Sequence, residues 1–187
     1  MSYKILGHDR YTTDAYSVTA LRESHMPFIK QWRNEQMDVL RQNKRLTDED
    51  QKRYYRQVIE PSFIQEQPSL ILFAFFLNDE LIGYGGLTNL NWEHKRAEIS
   101  YLLKTERSSE VDTQRYTHDF GAFLTLMKHI AFQELGIHRL FTETYDIRPV
   151  HIRVLEENGF RFEGRMYDHV SINGRYVDSL LHGCLEE

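Results

Sequence analysis

Apolar positions along the chain repeat with two different periods, and the changes of period fall at glycine, proline and asparagine. Tyr116, Phe120, Phe123, Leu124, Met127, Ile130, Ala131 and Leu135 recur at three- and four-residue intervals, which lines one face of a long helix. Gly136 caps that helix, and His138–Tyr145 follows as a strand. The next helix carries Ile147, Val150, Val154 and Leu155 and stops at Asn158-Gly159. Phe160 and Phe162 then alternate with Arg161 and Glu163, the period of a half-buried strand. Gly174–Gly183 supplies a last strand.

The first half reads similarly. Residues 1–16 have no clear period and are either an arm or a short strand, and Ser17–Leu21 is a short strand. Phe28, Ile29, Trp32 and Met37 share one side of a helix over Glu23–Leu40, with Asn34 as its candidate break. Thr47, with Asp50 three residues on, caps a helix that runs to about Ile59 and ends at Pro61. Leu70–Leu77 and Leu81–Leu90 form a hairpin about Asn78-Asp79-Glu80, with no glycine in the turn. Gly83, Gly85 and Gly86 in its second strand predict a bulge or a close backbone approach. Arg96–Leu103 is a third strand with Glu98, Ser100 and Leu102 on one face, and a polar loop from Lys104 to about Gln114 leads to the long helix. Two βαβ crossovers follow, giving an α/β (α+β) fold with no linker, hence one domain over residues 1–187.

Composition narrows the classes. Apolar residues make up 41% of the chain, a globular profile. Lys and Arg number 23 against 28 Asp and Glu, which disfavours a nucleic-acid partner but leaves a small phosphorylated ligand open. The single cysteine, Cys184, excludes an intrachain disulfide and a thiolate zinc cluster, and no metal site is expected. Leu70–Leu77 is too short an apolar run to span a bilayer, and the polar first sixteen residues do not resemble a signal peptide. The expectation is a cytoplasmic protein with no membrane partner.

Three stretches carry a family resemblance: Ala131–Phe141 (AFQELGIHRLF), the VLEENGFRFEG run to Gly164, and the final YVDSLLHG. They resemble GNAT acyl-CoA N-acyltransferases, in the branch of ribosomal-protein N-terminal and sugar-amine acetyltransferases. Ile29–Met37, with Trp32-Arg33-Asn34, is similar to the first helix of sugar-nucleotide amine members. The resemblance implies a mixed central sheet of about seven strands flanked by about four helices. It implies acetyl-CoA as donor and a primary amine as acceptor, the favoured one being an amino group of a nucleotide-linked sugar. The alternatives are a protein N-terminus as acceptor, or a binding module without catalysis; a homodimer is the expected assembly.

The family's phosphate loop is glycine-rich, and here no glycine stands between Lys104 and Phe120. Arg115, Tyr116, Thr117 and His118 occupy that region, and Asp119 would cap the helix but repel a pyrophosphate. By the same resemblance, backbone N–H groups near Leu102, Leu103 and Lys104 hold the acyl carbonyl and pantetheine. Arg148 and Arg153 either meet CoA phosphates or are solvated helix charges.

For the chemistry, Glu98 is the first candidate base, against a strand-edge carboxylate paired with Arg96 or Lys95. Glu143 is a base or substrate ligand, with Tyr145 on its face, or an ion-paired carboxylate. His151 stands where relatives carry serine and is either a proton relay or a polar neighbour. The family's tyrosine acid is replaced by Leu155, and Tyr145 is its candidate substitute. Trp32, Arg33 and Asn34 are expected to bind the acceptor, Arg33 through phosphate or sugar.

Overall fold

The computed structural model describes residues 2–108 and 112–186. Strands β1 (Arg10–Thr13), β2 (Tyr16–Ala20), β3 (Ile71–Leu77), β4 (Glu80–Asn91), β5 (Arg96–Leu103) and β6 (Arg139–Tyr145) lie side by side in chain order. Beyond β6 come β8 (Arg175–Leu185) and then β7 (Arg161–Ile172), completing eight strands. All pairings are antiparallel except β5 with β6. The eighth strand is β1, in the stretch read as an arm or short strand. Tyr3 anchors it: its hydroxyl donates to the Leu72 carbonyl (3.1 Å) and accepts from the Leu72 N–H (2.7 Å).

The β3–β4 turn needs no glycine because Asn78 and Asp79 both adopt left-handed φ (47° and 64°), as a type I′ turn requires. Short polar side chains tolerate that region better than other non-glycine residues. Gly85 is required for a different reason. A Cβ there would lie 2.7 Å from Phe123 Cζ and run into the Ser100 carbonyl, so this glycine lets β4, β5 and the long helix close together.

Among the described residues six α-helical segments cover the two faces: α1 (Met26–Glu35), α2 (Asp48–Tyr54), α3 (Glu60–Ser62), α4 (Thr105–Ser108), α5 (Thr113–Lys128) and α6 (Pro149–Glu157). The capping box at α2 forms as read: the Asp50 N–H donates to Thr47 Oγ1 and the Thr47 N–H to Asp50. The first helix is shorter than Glu23–Leu40, breaking at Gln36 rather than Asn34. Pro61 does not end the second helix at Ile59. A π turn over Tyr55–Ile59 leads into α3, whose first turn holds the proline.

Phe75 and Tyr101 face α5, with Phe123 at 5.2 and 4.7 Å between ring centroids. Leu72 and Tyr84 face α1 and α2. Phe162 differs from the alternation read for it: Phe160 is buried, but Phe162 is 53% exposed. Residues 109–111, part of the polar loop expected before α5, lie outside the described residues. No helix among the described residues is long and apolar enough to cross a membrane.

Candidate active site

The sheet opens in its middle. Strands β5 and β6 pair only at Arg96–Arg139, Ala97–Leu140 and Glu98–Phe141. Beyond these, β5 continues along β4 to Leu103 and β6 along β8 to Tyr145, leaving a wedge between them. The Lys104 N–H donates to the Ile82 carbonyl of β4, so the alternating Leu102 main chain also points to β4. Tyr101 and Leu103 therefore turn their main chain toward the wedge. The Leu103 carbonyl already accepts from Gln36 Nε2 (2.9 Å). Of the three main-chain positions expected at the donor, only Leu103 has that orientation; Lys104 also pairs its ammonium with Glu80 (2.8 Å).

Two carboxylates meet at the wedge. Glu98 and Glu143 share Arg41, whose Nη2 donates to Glu98 Oε1 (2.8 Å) and Glu143 Oε2 (3.0 Å). The second Glu98 oxygen accepts from Asn89 Nδ2 at 2.6 Å. His169 Nδ1 lies 3.3 Å from the other Glu143 oxygen and 2.9 Å from Ser179 Oγ. Thus Glu98 is not paired with Arg96 or Lys95 but with a cation from the loop between α1 and α2. Tyr145 and Arg33 line the same cleft. Burial raises the Tyr145 pKa, opposed by nearby Arg41, so the phenol stays protonated at neutral pH.

The α5 side of the cleft is a run of rings. Tyr101 stacks on Phe120 (4.5 Å), and Phe120 on His151 (4.2 Å). Arg148 Nη2 donates to the Tyr116 hydroxyl (2.8 Å), which lies 2.7 Å from His151 Nδ1. The Tyr116 hydroxyl thus joins Arg148 to the His151 ring, and the imidazole tautomer sets which of Tyr116 and His151 donates. Burial, reinforced by Arg148, pulls the His151 pKa well down, so the ring is neutral. His151 is thus a buried cleft-wall residue rather than a helix-surface neighbour.

At the start of α5 the helix cap is Asp112, which accepts from the Arg115 N–H (3.1 Å). Asp119 is not the cap. Its fully buried carboxylate takes two hydrogen bonds from Arg107 (2.7 and 2.9 Å) and one from the Tyr16 hydroxyl (2.8 Å). Its charge is therefore matched by Arg107 rather than offered to a ligand. Arg107, Arg115 and His118 line a shallow cavity here, and Arg115 Nη2 donates to the Glu106 carbonyl. Thr117 is half-buried on the same turn.

Other expected residues lie apart from the cleft. Trp32 is buried in the core. Asn34 pins the loop after α1, exchanging hydrogen bonds with the Leu46 main chain (2.9 and 2.8 Å). Arg153 makes a surface pair with Glu157 (3.7 Å). Arg41, Asn89, Tyr101 and Thr142 were not anticipated at the site. A hint existed for Arg41, since Arg41, Lys44 and Arg45 concentrate cations in an otherwise polar loop.

The family model described as "Acetyltransferase (GNAT) domain" matches residues 18–181. Spermidine N(1)-acetyltransferase of Vibrio cholerae is 28% identical over 101 residues, covering 52% of this chain and 53% of that enzyme. The chain thus spans about half the length of that curated relative. Spermidine N-acetyltransferase from Vibrio cholerae, solved with CoA and spermine, superposes with a TM-score of 0.77 at 20% identity, covering 92% of this chain and 96% of that one. Ribosomal-protein-S5-alanine acetyltransferase from Vibrio fischeri gives 0.73 at 19% identity, over 95% and 97% of the two chains. The wedge between β5 and β6, the sheet order and the match over residues 18–181 agree: the chain belongs to the GNAT acetyltransferase family.

Proposed function

We propose that this chain is an N-acetyltransferase that moves acetyl from acetyl-CoA to a primary amine of a small molecule. The observation that carries the reading is the carboxylate pair, Glu98 and Glu143, sharing one cation at the wedge between β5 and β6. When bound, acetyl-CoA supplies a thioester carbonyl open to attack by an amine. The residues present fit that donor. The Tyr101 hydroxyl and Thr142 Oγ1 are buried on the cleft wall with no hydrogen-bond partner among the described residues, a state that buried polar groups seldom keep without a ligand. The main chain of Tyr101 and Leu103 faces the same gap. At the outer end, Arg148 and Arg115, the latter 3.4 Å from Asp112, offer guanidinium groups in place of glycine amides.

An acceptor amine arrives as an ammonium ion, and Glu98 and Glu143 attract it as Arg41 withdraws. Glu98, held by Asn89, takes the proton that the amine must lose before it can attack, directly or through a water. Tyr145 supplies a proton to the departing sulfur. His151, fixed by Tyr116, shapes the wall beside them. The spermidine N(1)-acetyltransferase of Vibrio cholerae supports a small cationic amine as acceptor. Self-association belongs to the same reading, supported by the dodecameric spermidine N-acetyltransferase of Vibrio cholerae.

The test is release of free thiol from acetyl-CoA with spermidine, amino sugars and N-terminal peptides in turn. The expected outcome is transfer to a small amine, with Glu98→Gln lowering kcat about 100-fold or more at an unchanged KM for acetyl-CoA. Activity on peptides alone would move the acceptor to a protein N-terminus. No thiol release, together with no heat of acetyl-CoA binding, would leave a binding module instead.

A further inference from the structure

Beside the cleft, between α1, α2 and the sheet, lies a second cavity of about 530 Å³, within the range of small-molecule sites. Arg33, Arg41, Thr88 and Ser100 line both spaces, so the two adjoin. Its floor is apolar, formed by Met26, Ile29, Ile59 and Leu72. Its other walls carry Arg33, Arg41, Lys44 and Arg53 against one carboxylate, Asp50.

That carboxylate is occupied. Asp50 closes the capping box of α2 and pairs with Arg53, and Arg41 is shared by Glu98 and Glu143. Among the described residues Arg33 donates to neutral partners, Gln42 Oε1 (2.9 Å) and the Tyr84 hydroxyl (2.8 Å). Among the described residues no carboxylate lies within ion-pair distance of Arg33 or Lys44. A second, independent observation points to a ligand. Gln51 lines the cavity, is 6% exposed, and its Oε1 is buried with no hydrogen-bond partner among the described residues. Such an oxygen calls for a donor, a hydroxyl or N–H, and leaving it unmet is costly. Tyr54, 40% exposed, adds an aromatic ring to the wall.

We infer that this cavity is an anion subsite for the remote part of the acceptor, which is a phosphorylated amine of the nucleotide-linked amino-sugar class. The inference rests on the acetyltransferase reading above. The amine end lies at Glu98 and Glu143, while the phosphates meet Arg33 and Lys44. A hydroxyl or base N–H reaches Gln51, and the ring system covers the apolar floor. The polarity is the reverse of what a polyamine needs: a second ammonium group entering between Arg33, Lys44 and Arg53 is repelled. A phosphate there gains charge-assisted hydrogen bonds, with the planar fork of Arg33 matched to two of its oxygens.

The experiment titrates uridine diphosphate and inorganic pyrophosphate into the protein saturated with CoA, using wild type, Lys44→Met, Gln51→Leu and Arg175→Met. Both probes are expected to bind wild type, and Lys44→Met to weaken both by about tenfold. Gln51→Leu weakens the nucleotide but not pyrophosphate, and Arg175→Met, at the exposed start of β8, changes neither. Lys44 is exposed, so that variant keeps its fold. The idea is overturned if neither probe binds, or if Lys44→Met leaves both affinities unchanged. It is also overturned if spermidine is acetylated while a uridine-diphosphate-linked amino sugar is not, an outcome that leaves the acetyltransferase reading standing. Lys44-dependent binding without transfer to any amine supports the subsite and sinks the transferase reading.

Discussion

Arg41 occupies the place the acceptor ammonium would take, and replacing it gives a sharp test. Its guanidinium makes two charge-assisted hydrogen bonds, at 2.8 Å to Glu98 and 3.0 Å to Glu143. Contacts of that type are worth roughly 1.5–3 kcal/mol each when shielded from water. The Arg41 side chain is 51% exposed, while Glu98 and Glu143 are 10% and 17% exposed. Solvent screening therefore reduces the pair of contacts to about 1–2 kcal/mol in all. An acceptor that must first move Arg41 aside loses that much apparent affinity, about five- to thirtyfold. Arg41→Met keeps the length of the stem and removes the charge. In steady-state assays of thiol release with a small amine lacking an anionic tail, its acceptor KM is expected to fall five- to thirtyfold. The acetyl-CoA KM stays constant. An unchanged or raised acceptor KM refutes the displacement argument, and a drop in kcat alone assigns Arg41 to the chemical step instead.

Three further outcomes follow from the geometry. Asp119→Asn strands Arg107 and should cost about 3–5 kcal/mol; replacing both partners by leucine should recover much of it, and urea unfolding reads the difference. Burial and Arg148 hold the His151 pKa well below its ordinary value, so below about pH 6.5 the unfolded chain binds a proton that the folded one refuses. Stability is then fully present above that pH and declines by up to about 1.4 kcal/mol per unit beneath it, a slope that His151→Gln should flatten; equal slopes in the two proteins would remove the effect. Gly85→Ala drives a methyl into Phe123 and the Ser100 carbonyl and should lower stability by about 1–3 kcal/mol, measured by thermal unfolding.

Much of the scaffold could be read from spacing. The Thr47 cap, the Arg96–Leu103 strand and the turns around Gly136 and Gly159 are local features, fixed by residues within a few positions of one another. Glu98, Glu143, Tyr145, His151 and Arg148 could be picked out as residue types on strands or a helix, and the fold brings them to one cleft. Contacts across long separations could not be seen. Arg41 lies 57 residues from Glu98 and 102 from Glu143, in a loop with no period to place it. Asp119 read as an obstacle to phosphate because Arg107 and Tyr16, its partners, sit 12 and 103 residues away. Phe162 kept a strand's alternation although it is 53% exposed and meets His182 edge-on, since a pattern of apolar positions does not say which layer covers each face.

The seam at Arg96, Ala97 and Glu98 has a bearing on acyl-chain length. Because only three residue pairs of ladder join the two halves of the sheet, the gap beyond them can widen without breaking a backbone hydrogen bond. What resists widening is the stack of Tyr101, Phe120 and His151, which ties β5 through α5 to α6. Thinning that stack at Phe120 should let propionyl or butyryl groups enter while the strand pairing, and with it the position of Glu98, stays as it is.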